Sequence, residues 1–268
     1  MTTDTPPPRR KWHFNRWLIV LIVATLGWSG WRAYAFRSAL SQAKALGWTV
    51  QYTDPVERIR QNWKAAFRKE TWLDGGTHVG IPTSEAFEQH LTIVHRLDPK
   101  SMYIDNARTL RDLSSLEPLT RLQGITLLGC TGLTNVGALK DLSALRQVWL
   151  TGCTGLSNVE GLKNLSALQT VVLTGCKELT NVDALKNLPA LQIVSLDRCT
   201  RLANVDALKN LSTLQHVSLK GCTGLTNADG LKNLPALGSV SLIGSTGLTK
   251  ESVAALKATL PNAIIFDP

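Results

Sequence analysis

From the middle of the chain onward, apolar side chains keep a strict beat. They fall at Leu145, Val148, Leu150, Cys153, Leu156, Val159, Leu162 and Leu165, and the columns return 23 residues later. Val148 and Leu150 alternate with Gln147, Trp149 and Thr151, which predicts a short strand. One set of its side chains turns into a core and the other projects from a sheet. The return that starts with Val-x-Ala-Leu-Lys is too short for a long helix, so a 3₁₀ or single-turn helix is expected on the opposite side. A fixed period in the twenties marks a stack of supersecondary units, each burying its apolar side only against its neighbours.

The most regular column is cysteine, at Cys130, Cys153, Cys176, Cys199 and Cys222. The pattern around it, L-x-x-V-x-L-x-x-C-x-x-L, resembles the leucine-rich repeat family, whose units carry L-x-x-L-x-L-x-x-N/C-x-L. The L-T-N-V-D-A-L-K-N-L that follows resembles the return segment of the internalin-like branch, with one extra residue. This resemblance covers Met102 to Pro268. It implies an α/β fold, a solenoid with a curved parallel sheet, short 3₁₀ or helical returns and a concave outer face.

An inward thiol is a small apolar filler. Neighbouring rungs about 5 Å apart would also suit disulfides or a metal. However, an odd number of cysteines in one in-register column offers neither C-x-x-C spacing nor complete pairing. Packing is therefore the expected role, with no metal and no cofactor. A second column, Asn135, Asn158, Asn181, Asn204 and Asn227, is expected to accept a bond from an otherwise unpaired N–H at the start of each return.

At the carboxyl end, Thr249 to Leu260 has room for about three helical turns. Ile264, Ile265 and Phe266 supply a last strand, so this unit reads as a cap. At the other end, Ala107, Leu110, Leu113, Leu116, Leu119 and Leu122 hold the phase without cysteine, and the repeat domain is placed at 101–268. Covered ends predict a monomeric solenoid.

Ahead of the repeats lie a basic tail at 1–16, an apolar span at 17–36 and a juxtamembrane region at 37–100. The span has the length a bilayer needs, with Arg32 near one end where it can snorkel. Trp12, Phe14 and Trp17 at one border and Trp28, Trp31, Tyr34 and Phe36 at the other resemble interfacial belts. Arg9, Arg10, Lys11 and Arg16 precede it against Arg32, Arg37 and Lys44 after it, which orients the amino terminus inward and the repeats outside the plasma membrane. A cleaved signal peptide ending near Ala33-Tyr34-Ala35 is the competing reading and gives the same export. Free cysteines fit an oxidising compartment only if buried. Region 37–100 is expected to form a small helical cap, with one helix starting at Asp54-Pro55 and another at Thr83-Ser84-Glu85 that carries Phe87, Leu91 and Val94. Gly75-Gly76 and Gly80-Ile81-Pro82 read as breakers. Trp48, Trp63 and Trp72 are expected to pack against the first repeat.

The net charge of +9 invites a polyanion reading. Much of it sits at Lys140, Lys163, Lys186, Lys209 and Lys232, with Glu160, Asp183, Asp206 and Asp229 three residues ahead of the last four. That spacing places opposite charges side by side on a solvated face, so no nucleic-acid partner is expected. The five histidines, His13, His78, His90, His95 and His216, form no metal or hydrolase motif, and no catalytic residue is assigned. An enzyme with its site in 37–100 is the least favoured class.

Binding is expected on the outward strand positions. Candidates are Tyr103 and Asp105, Trp149 and Thr151, then Asp197, Arg198 and Lys220. Trp149 is a large aromatic on an otherwise hydroxyl-rich strip, the kind of residue that anchors a partner. Asp197-Arg198-Cys199-Thr200-Arg201 replaces the usual Thr-Gly-Cys-Thr-Gly. The expected function is a membrane-anchored protein-binding scaffold, and the alternative is an envelope protein holding polysaccharide.

Overall fold

Alternating side chains at the strand positions and three-residue spacing in the returns build one continuous sheet (computed structural model). The structure describes residues 34–52, 77–81, 90–104 and 108–268. Among these residues ten strands lie in chain order across the sheet: β1 Thr49–Tyr52, β2 Thr77–Ile81, β3 Ser101–Ile104, β4 Gly124–Leu128, β5 Gln147–Thr151, β6 Thr170–Val172, β7 Ile193–Ser195, β8 His216–Ser218, β9 Ser239–Ser241 and β10 Ile264–Phe266. All pairings from β2 to β10 are parallel, and β1 runs antiparallel to β2. Register follows the repeat, with Trp149 opposite Thr126 on one side and Val172 on the other.

Every inward column is buried. Val148, Leu150, Cys153, Leu156 and Leu162 are fully covered, and so are their counterparts down the stack. Each return is a 3₁₀ segment, such as Asp183–Leu185 or Asp206–Leu208. The five asparagines accept the bonds assigned to them. Asn135, Asn158, Asn181, Asn204 and Asn227 each take through Oδ1 the backbone N–H two residues on, at 2.7–3.2 Å. They sit one residue before the cap position, as local side-chain turns rather than helix caps. A further asparagine ladder leaves the returns. Asn164, Asn187, Asn210 and Asn233 hold φ between 58° and 70°, a left-handed conformation that asparagine tolerates because its short side chain bonds locally.

The region ahead of the repeats departs from the helical cap expected. Residues 34–45 are helical (α1) and Leu91–Leu97 form α2, but β1 and β2 extend the sheet. Val79 and Ile81 alternate inward at 2% and 1% exposure, a period-two signal that Gly80 interrupts on paper but not in the strand. The α1 residues Ala39, Leu40 and Ala43 pack into the same core. Trp48 is buried with its ring edge toward His90, centroids 6.1 Å apart. Of the helix expected from Thr83, Leu91 and Val94 fall in α2, with Val94 buried, while its start and Phe87, the helix expected at Asp54, Trp63 and Trp72, Gly75-Gly76, Ala107, and nearly all of the 17–36 span lie outside the described residues. Among the described residues no helix is long and apolar enough to cross a membrane.

At the far end α3, Lys250–Thr259, is capped by Thr249, whose hydroxyl accepts from the Ser252 N–H at 3.2 Å. Val253 and Leu256 close the core there. Of the four acid–lysine pairs expected on the returns, only Asp229–Lys232 closes among the described residues, at 2.6 Å. The others stay in solvent, where holding two long side chains in one geometry gains little.

Candidate functional site

The open face of the sheet carries three columns, set by the outward positions of successive strands. The middle one runs Tyr103, Thr126, Trp149, Val172, Ser195, Ser218, Ser241 and Phe266. Tyr103 and Trp149 are each 41% exposed and two rungs apart, with Thr126 between them. Thr151, Asp197 and Lys220 lie in the column nearest the turns, and Arg198 lies in the turn itself. Asp105 lies outside the described residues. The expected residues therefore fall into two groups, an aromatic pair near β3–β5 and a charged cluster near β7–β8.

The charged cluster is organised by a departure from the repeat. Where other rungs place glycine, Gly129, Gly152, Gly175, Gly221 and Gly244, φ lies between 66° and 76°. That conformation lets the N–H of Gly129, Gly152, Gly175 and Gly221 donate to the carbonyl of the next rung, as Gly175 does to Asp197 at 2.7 Å. Arg198 occupies the same place with φ 59° and makes the same bond to the Lys220 carbonyl at 2.7 Å. A residue with a Cβ pays about 1–2 kcal/mol for this conformation. Beside it, Asp197 Oδ1 accepts two bonds from the following rung, the Ser218 hydroxyl at 2.6 Å and the Lys220 backbone N–H at 2.9 Å. Arg201 in the same turn pairs with Glu178 of the preceding rung.

Next to this cluster a depression of about 250 Å³ opens between Ile193 and Phe266, floored by Ser195, Ser218 and Ser241. Ile193 and Phe266 are 38% and 51% exposed. His216 Nδ1 and Ser239 Oγ, which also line it, are hydrogen-bonded at 2.8 Å. Ser241 Oγ is buried and has no partner among the described residues, a state that costs on the order of 1–3 kcal/mol.

Ile193, Ser239 and Phe266 were not anticipated as site residues. The first two stand in the Gln147 column, an outward column of the alternation from which no candidate was drawn. Phe266 follows Ser241 by 25 residues instead of 23, so the fixed period could not place it.

The cysteines belong to the core and not to this face. All five are free and buried. Cys176, Cys199 and Cys222 donate through Sγ to the carbonyls of Leu150, Leu173 and Leu196 in the preceding rung, at 3.6, 3.2 and 3.0 Å. Ser245 ends the column with the same bond to Leu219 at 2.5 Å. Burial pushes the Cys199 thiol up to about 12 and the Cys222 thiol up to about 11, because the interior disfavours the thiolate.

No protein-family model matches the sequence, and a comparison with curated proteins finds no match. Solved structures do match. The leucine-rich repeat domain of the type III effector XopL is 19% identical, with a TM-score of 0.51 over 90% of this chain and 93% of that one. Internalin C2 from Listeria monocytogenes is 22% identical, with a TM-score of 0.54 over 81% of this chain and 94% of that one. At these identities the likeness speaks for architecture, and with the 23-residue rungs, the parallel sheet and the 3₁₀ returns it establishes that this chain has the leucine-rich repeat fold.

Proposed function

We propose that the chain is a membrane-anchored leucine-rich repeat protein whose open sheet face, the concave one in this fold, holds a protein partner without catalysing a reaction. The observation that carries this is Trp149, held 41% exposed in the middle of a five-residue strand. A large ring on a rigid strand offers contact area at small ordering cost. The anchor is assigned to 17–36 on sequence grounds, with the repeats outside the cytoplasm.

The test is cross-linking in the native membrane, comparing the intact protein with Trp149→Ala and with a Lys186→Ala control on the returns. Loss of one co-purifying protein in the tryptophan variant alone is expected. A partner retained equally by all three would move recognition to the region before the repeats. Protease added to intact cells should reach the repeats, and protection of them would reverse the assigned topology.

A further inference from the structure

The β7–β10 end of the open face has its own chemistry, and we infer that the depression there binds an acidic peptide segment. Its carboxylate lies between Lys220 and Arg198, and a neighbouring apolar side chain sits between Phe266 and Ile193. This rests on the protein-binding reading of the open face and names the partner's chemistry.

Charge is the first observation. Among the described residues Lys220 is the one fixed cation lining the depression, and no carboxylate lines it. The nearby Asp197 Oδ1 is already taken by two donors from the next rung. Neither Lys220 nor Arg198 makes an ion pair among the described residues.

The second observation is an unmet hydrogen-bonding group. Ser241 lines the depression at 8% exposure, and its hydroxyl has no partner among the described residues. A hydroxyl both donates and accepts, and peptide groups present one donor and one acceptor each, so a backbone laid over the serine floor satisfies it once rotation about χ1 turns the hydroxyl toward the opening. The third is backbone strain. Arg198 keeps a left-handed φ of 59° where five other rungs use glycine, and strain of this kind gathers at ligand sites. Its side chain reaches over the next turn, its Cγ being 3.6 Å from where a Cβ on Gly221 would lie.

The test is a random dodecapeptide phage library panned on the full chain, with enriched peptides synthesised and measured by fluorescence anisotropy. The expected peptides carry Asp or Glu next to an apolar residue. Their affinity should fall about tenfold in Lys220→Ala and in Phe266→Ala, recover in Lys220→Arg, and weaken with added salt. Ser241→Ala should weaken binding without lowering the urea midpoint, which a purely structural hydroxyl would not do. Circular dichroism confirms that each variant is folded. Enriched peptides that ignore Lys220→Ala but lose affinity in Trp149→Ala would overturn this site while leaving the protein-binding reading standing. Binding indifferent to every open-face substitution, or no enrichment at all, would overturn both.

Discussion

Arg198 illustrates how much one position can reveal in a repeating chain. Its rung needs a left-handed residue so that the N–H can reach the Lys220 carbonyl, and glycine supplies that conformation without steric cost. Arg198→Gly should therefore raise stability by about 1 kcal/mol, seen as a higher urea midpoint with unchanged slope. A lower midpoint would mean that the arginine side chain contributes more packing than its backbone costs. The departure Asp197-Arg198 was visible in the sequence because every neighbouring unit shows what should stand there. What could not be read was Asp197's use, since its bonds to Ser218 and the Lys220 N–H cross to another rung. The orphaned Ser241 hydroxyl was likewise invisible, because its neighbour across the sheet is Phe266, which the 23-residue period does not place there.

The strands and returns were legible for a physical reason. Period two and spacing three each repeat in phase, so tertiary contacts between rungs reinforce the local pattern instead of competing with it. Before the repeats that reinforcement is missing. Thr49–Tyr52 and Thr77–Ile81 are short, and only pairing with β3 reveals them as strands. Within the returns, close packing imposes demands that propensity does not show. A Cβ at Gly161 would stand 1.8 Å from the Val136 carbonyl oxygen, although Ala184 fills the same column one rung on. Gly161→Ala is expected to cost on the order of 1–3 kcal/mol, because the rung must shift to admit a methyl group. An unchanged urea midpoint would show that the contact relaxes freely.

Across the whole molecule, the thiol column ties stability to pH. Cys199 and Cys222 have folded values of about 12 and 11 against an ordinary 9.0, so the folded state holds protons that the unfolded chain releases. Their contribution is complete below about pH 9 and is lost as pH rises toward 11–12. Urea midpoints should therefore fall steadily across that alkaline window. Iodoacetamide at pH 8 should label none of the five thiols in the folded protein and all five in urea. Labelling of one thiol without denaturant would place that rung at an open end of the stack.

The final unit is two residues longer than those before it, which sets Phe266 directly beside Ser241. The segment that seals the core thus also serves as an end stop for whatever lies along the serine floor. Because interior rungs are interchangeable in register, excising one 23-residue unit such as 216–238 would draw that stop one step closer to Trp149. Repeat number then acts as a gauge of ligand length, adjustable by duplication or deletion while the remaining rungs keep their contacts.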